Sequence, residues 1–157
     1  MGVDKDFGVA FAKSQLSAGV ILPSTGSIFI SVSDADKPKI VPVARKLRKA
    51  GFTIVATSGT MKFLADKGIE AELVYKIFEG RPNVLDLLTD RRVGMMINTP
   101  MGKESFQDDY EIRRSAIIHN VPYTTTIAGA IAATEGIIAL AGRNLGVTSL
   151  QEYHAGG

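Results

Sequence analysis

Apolar residues in this chain fall into two alternating rhythms. Short apolar runs at Ser27 to Val32, Phe52 to Ala56, Ala71 to Tyr75, Val93 to Ile97 and Val121 to Thr125 predict five strands. Between them the spacing becomes helical. Lys39 to Ala50 places Ile40, Val43, Ala44 and Leu47 on one face and stops at Gly51. Further helices are predicted over Thr60 to Lys67, closed by Gly68, and over Asn83 to Asp90, Asp109 to Asn120 and Ile127 to Ala141. Ile54-Val55 and Met95-Met96-Ile97 do not alternate with polar residues, as expected of parallel strands covered by helices on both faces. The pattern therefore predicts an α/β fold of three layers: a doubly wound, five-stranded, mainly parallel sheet with helices on both faces. Upstream, Phe7, Ala10, Phe11 and Ser14 predict an amphipathic helix over Asp4 to Ala18, and Val20 to Gly26 reads as a linker.

Composition narrows the class of function. A chain of 157 residues fits one compact domain with short appendages. Apolar residues at 45% and charged residues at 22% leave no disordered bulk. A net charge of +2 with interspersed signs lacks the dense basic face of a nucleic-acid binder, yet suits capture of a small anion. No apolar run is long enough to cross a bilayer. The chain has no cysteine, which excludes disulfides and thiolate metal sites. His119 and His154 have no partner at ligand spacing, so no metal is expected, and with no visible signal peptide the expected location is the cytoplasm.

In a doubly wound sheet, ligands sit beyond the carboxyl ends of the strands, near the place where strand order reverses. The residues just after each predicted strand are therefore the candidates. They are Ser31 to Lys37, then Thr57-Ser58-Gly59-Thr60, then Lys76, then Asn98-Thr99-Pro100. Together they bring hydroxyls, an amide, two ammonium groups and free N–H groups at helix starts, which is what a phosphate dianion requires. Each cluster also has a structural reading. Thr57 to Thr60 serves as a capped connection, Asp36-Lys37-Pro38 as a helix start with Asp36 as N-cap, Lys76 as a solvated lysine, and Asn98-Thr99-Pro100 as a turn. Convergence favours the anion cradle. The loop from Asn98 to Asp108 exceeds the usual ~2–6 residues for such connections and joins Glu79-Gly80-Arg81-Pro82-Asn83 as a segment able to cover a ligand. Asp109 with Arg113, and Tyr110 with Arg114, are spaced for helix-surface pairing.

Taken as an ordered set, Ser31-Val32-Ser33-Asp34-Ala35-Asp36-Lys37, Gly51-Phe52, Ala56-Thr57-Ser58-Gly59-Thr60, Lys76, Glu79-Gly80-Arg81-Pro82-Asn83, Ile97-Asn98-Thr99-Pro100 and Ile112-Arg113-Arg114 carry a specific likeness. On these residues the chain resembles the C-terminal allosteric domain of the carbamoyl phosphate synthase large subunit, which has a methylglyoxal-synthase-like fold. The resemblance implies residues 1–26 as helix and linker from the preceding ATP-grasp region, 27–141 as the allosteric domain and 142–157 as a C-terminal tail. It implies a parent ligase that makes carbamoyl phosphate from glutamine-derived ammonia, bicarbonate and ATP with magnesium or manganese, for pyrimidine and arginine synthesis. No reaction and no cofactor are implied for this domain itself. Its implied partners are a nucleotide effector, UMP as inhibitor or IMP as activator, together with the catalytic regions of the same subunit and the small glutaminase subunit; a homo-oligomer is a further expectation. Residue by residue, Ser31, Lys37, Thr57, Gly59, Thr60, Lys76, Asn98 and Thr99 fall on the family's nucleotide positions. Tyr123, Thr124 and Thr125 fall on a segment where some members bind ornithine, with Thr124 standing where the enteric form has an acidic residue. Methylglyoxal synthase itself is the enzymatic alternative, but its Gly-Gly-Asp motif is replaced by Gly80-Arg81-Pro82, and an arginine supplies no base at neutral pH. The cyclohydrolase half of the bifunctional purine enzyme shares Ser-Val-Ser-Asp but lacks the Glu-Gly-Arg-Pro and Ile-Arg-Arg signatures. An interaction module with a vestigial pocket is the third alternative.

Overall fold

A computed structural model describes residues 22–23, 25–77, 79–100 and 106–140. The helix predicted over Asp4 to Ala18 and the tail 142–157 lie outside the described residues. Five strands, β1 (Ser27–Ser31), β2 (Thr53–Ala56), β3 (Glu72–Leu73), β4 (Val93–Asn98) and β5 (Tyr123–Thr124), form one sheet in the order β3-β2-β1-β4-β5. Every pairing is parallel, so the sheet is wholly and not mainly so. Helices α1 (Lys37–Lys49), α2 (Ser58–Asp66), α3 (Val84–Thr89), α4 (Phe106–Ile118) and α5 (127–140) connect and follow the strands.

Side chains that alternate along each strand feed two separate cores. On one face Ile28, Ile30, Ile54, Ala56, Met95 and Ile97 pack against Ile40, Val43 and Leu47 of α1, Leu64 of α2 and Ala130, Ala133 and Ile137 of α5. On the other, Phe29, Val55, Val93 and Met96 meet Val84, Leu87 and Leu88 of α3 and Ile112 and Ala116 of α4. This is why the strands read as continuously apolar. Each fully buried Leu, Ile or Phe here contributes about 1.5–3 kcal/mol of transfer free energy. Leu22, from the segment read as a linker, is buried in the first core. Its neighbour Pro23 crosses β4 so closely that a Cβ on Gly94 would lie 2.8 Å from the proline Cβ, so glycine is required there.

The helix ends differ in instructive ways from the predicted ones. α1 starts two residues early, at Lys37, with Pro38 in its first turn where no N–H partner is needed. Asp36 occupies the N-cap position but makes no capping bond; its carboxylate accepts instead from Ser33 Oγ at 2.8 Å. α2 likewise begins at Ser58, not Thr60. α4 begins at Phe106, so Asp108 belongs to the helix and not to the loop. β3 and β5 each keep two residues, because an edge strand has a neighbour on one side only.

Candidate functional site

Strand order reverses between β1 and β4, and the predicted residues gather at the carboxyl ends of these two strands and of β2. Ser31, Thr57, Lys76 and Asn98 line one cavity, together with Phe29, Val84 and Ile112 as its apolar floor. Ser31 Oγ and Thr57 Oγ1 lie 2.9 Å apart, a bond that joins the ends of β1 and β2 and replaces the helix cap expected of Thr57. The hydroxyls of Thr60 and Thr99 hold the turn that leads into α1. Val32 N–H donates to Thr60 Oγ1 at 3.3 Å and Ser33 N–H donates to Thr99 Oγ1 at 2.9 Å. A hydroxyl that accepts in this way still has its own hydrogen to donate.

Lys37 stands beside this cavity and is not among its lining residues. Its ammonium donates to Asp34 and rests over the start of α2, where a Cβ on Gly59 would be 3.2 Å from Nζ. The Lys37 ammonium correspondingly holds the Asp34 carboxyl below its usual range. Gly59 thus lets a cation approach the α2 backbone closely. The eight candidates therefore divide into a cavity group of four, a cation on glycine at Lys37 and Gly59, and two latches at Thr60 and Thr99.

Two acidic residues complete the cavity and were not among the predicted site residues. Asp108 and Asp109, in the first turn of α4, both line it. Burial pushes the Asp108 carboxyl above its usual range, Asp109 and Glu79 add to this, and Lys76 opposes it. Asp108 was read as the end of the loop and Asp109 as a helix-surface partner of Arg113; their closeness to the end of β4 was the signal available. Asn98 donates from one Nδ2 to Asp109 Oδ1 at 3.0 Å and to Tyr123 Oη at 2.8 Å. The cavity between these groups measures about 20 Å³, room for a single water.

The second segment lies beside the first. Tyr123 is bonded to Asn98, and the Arg113 guanidinium sits 5.9 Å from its ring centre. Burial raises the Tyr123 hydroxyl above its ordinary pKa. Thr124 Oγ1 is buried with no hydrogen-bond partner. The Glu79 to Asn83 segment serves structure: Asn83 caps α3 by accepting from Leu85 and Asp86 N–H, and Asp86 accepts in return from Asn83 N–H at 2.8 Å and pairs with Arg81. Arg81 is thereby committed to the helix start. Among the described residues no cluster of His, Cys, Asp and Glu suits a metal, and no helix is long and apolar enough to cross a membrane.

An all-parallel sheet with its rim of hydroxyls, lysine and amide at the switch point matches a known domain type. The family model of the MGS-like domain matches residues 39–125, and the chain belongs to that family. A carbamoyl phosphate synthase large chain from Acidobacterium capsulatum is 53% identical over 99% of this chain and 14% of its own length. The C-terminal section of the large chain from Aquifex aeolicus is 48% identical, over 98% of this chain and 30% of that section. The chain thus spans about one seventh of the full large chains it matches. In fold it is similar to methylglyoxal synthase from Elizabethkingia anophelis, with a TM-score of 0.58 and 20% identity, covering 72% of this chain and 79% of that one.

Proposed function

We propose that the chain is the regulatory domain of a glutamine-dependent carbamoyl phosphate synthase large subunit, and that the cavity at the ends of β1, β2 and β4 binds a nucleoside monophosphate of the UMP or IMP type. The observation that carries this is a lining of both charge signs. Lys76, Ser31 and Thr57 bring a cation and hydroxyls to it, which suits a phosphate. Asp108 and Asp109 bring carboxylates to the same lining, which suits ribose hydroxyls or base N–H groups. A bare anion would be repelled by those carboxylates. Because the cavity has room for about one water, binding requires the start of α4 to move with Asp108, so the ligand favours a second arrangement of the domain. The parent enzyme would make carbamoyl phosphate for pyrimidine and arginine synthesis, in contact with its own catalytic regions and the glutaminase subunit. The unpaired hydroxyl of Thr124 supports a second effector contact at Tyr123, Thr124 and Thr125; with threonine at 124, an amine such as that of ornithine would meet no countercharge at this position.

Calorimetry of the chain with UMP and with IMP tests the reading. Binding of at least one is expected, and replacing Lys76 with alanine should weaken it by about 1.5–3 kcal/mol, the range for hydrogen bonds to a charged group. Absence of heat with both nucleotides at millimolar concentration would leave the domain as an interaction module. No methylglyoxal is expected from dihydroxyacetone phosphate, since Gly80-Arg81-Pro82 offers no carboxylate base in place of Gly-Gly-Asp and Arg81 is tied to Asp86.

A further inference from the structure

At the far end of α1 from the effector cavity, beside the amino ends of β2 and β3, lies a cavity of about 580 Å³ that the proposed function does not use. Arg45, Arg48 and Lys49 of α1 line it together with Gly68, Ile69 and Glu70, which lead from α2 into β3. The spacing i, i+3, i+4 sets the three cations on one face of α1. A basic last turn complements the dipole of its own helix, but both guanidiniums here are fixed by carbonyls of other elements. Arg45 Nη2 donates to Lys67 O at the end of α2 at 2.9 Å, and Arg48 Nη1 donates to Phe52 O ahead of β2 at 3.2 Å. An arginine has five N–H donors, so these bonds hold each planar group in place and leave most of its donors for another acceptor. Glu70 forms only a loose ion pair: its Oε2 lies 3.8 Å from Arg48 Nη2, and its side chain is 88% exposed. The Lys49 ammonium has no partner among the described residues. Ile69 is buried and forms an apolar floor, and the space that a Cβ on Gly68 would occupy is open.

We propose that this cavity binds the phosphate group of a small phosphate monoester, at a site separate from the effector cavity. Charge sets the class of ligand. Three cations against the single carboxylate of Glu70 leave a formal charge of +2 in the lining, which matches a phosphate dianion. Guanidiniums held from behind present paired N–H groups, the arrangement that takes phosphate oxygens two at a time, and the lysine adds a point charge. Size sets the rest. The volume of about 580 Å³ falls in the ~300–1,000 Å³ range of small-molecule sites, so the space over Ile69 takes the body of the ester. Lys37 stands in the first turn of α1 and Arg48 in the last. At 1.5 Å per residue they are roughly 16 Å apart, a span that one phosphate group does not bridge. The inference therefore does not rest on the nucleotide reading of the other cavity.

Backbone amide NMR of this chain tests the site, with glycerol 3-phosphate as the probe and sodium chloride at equal ionic strength as the control. Saturating shifts of the Gly68, Ile69 and Glu70 amides are expected with the ester, and the same response to chloride would overturn the site. Arg48→Gln should weaken binding about tenfold or more, as for a lost hydrogen bond to a charged group. Because Arg48 also holds Phe52 O, two further variants read the site without touching a structural bond. Lys49→Gln should leave the melting temperature unchanged and weaken binding about twofold to fivefold, the size of an exposed ion pair. Glu70→Gln should tighten binding by a similar factor, since it removes the opposing carboxylate. Unchanged affinity in both of these variants would overturn the site, because residues with only a structural role would give that result. Lys76→Ala, in the effector cavity, should leave the Gly68 to Glu70 shifts intact, and their loss there would place the ester in the other cavity. Failure of UMP and IMP to bind would strike the proposed function and leave this site standing. Nucleotide binding that survives Lys76→Ala and is lost in Arg48→Gln would support this site against that one.

Discussion

Asp108 shows how much a single side chain can hide in plain sequence. In the sequence it reads as the last residue of the loop after β4, and the structure sets it in the first turn of α4. What only packing reveals is that it lines the cavity together with Lys76 and Asp109, with its carboxyl raised chiefly by burial. A carboxyl raised in the folded state holds its proton to higher pH than in the unfolded chain. The penalty is therefore fully present above the folded value, fades as pH falls through it, and is gone below the ordinary carboxylate range. Replacing Asp108 with asparagine should raise the melting temperature at pH 7 and flatten its rise on mild acidification. Thermal scans between pH 4 and 8 check this; a variant less stable than wild type at pH 7 would mean that the Lys76 attraction outweighs burial. The hydroxyl residues were legible as a set, yet their partners were not. Thr57 looked like a cap and is bonded to Ser31, because only the folded sheet brings position 31 against position 57.

Helix ends teach the same lesson one level up. Gly51 and Gly68 were readable stops, and both sit at positive φ where the chain turns back. Phe52 N–H returns to Leu47 O and Ile69 N–H to Leu64 O, the paired bonds of a left-handed helix end. α3 and α4 end in the same way without glycine: Arg91 and Asn120 adopt φ of 56° and 55°, with Arg92 N–H returning to Leu87 O and Val121 N–H to Ala116 O. Asparagine tolerates this conformation; arginine does so at a cost of about 1–2 kcal/mol. Glycine at 91 should therefore stabilise the domain by about 0.5–1 kcal/mol, the left-handed cost less the wider unfolded freedom of glycine. Urea unfolding would show it as a higher midpoint at unchanged slope, and no gain would mean that the exposed Arg91 side chain has stabilising contacts of its own. Strand lengths were overread at the edges: β3 keeps only Glu72 and Leu73, both exposed, and β5 only Tyr123 and Thr124, both half-buried.

For the molecule as a whole, the sheet divides the interior into two cores that share no side chain. Leu47 lies in one and Leu88 in the other. Truncating either to alanine should cost about 2–5 kcal/mol, and because the sheet separates them the two losses should add to within about 0.5 kcal/mol. Equilibrium unfolding of both single variants and the double variant measures this, and a large interaction energy would show the faces to be coupled through the strands. Local information was sufficient for the rhythm of strands and helices, the burial of both sheet faces, and the rim on which polar residues would collect, because periodicity and glycine stops are set by near neighbours along the chain. Which rim residues share a cavity, that two carboxylates close it, that Lys37 lies against Gly59 instead of inside it, and that Arg45 reaches the end of α2 were settled by strand order and helix packing. Those are contacts between residues far apart in the chain, and no spacing rule encodes them.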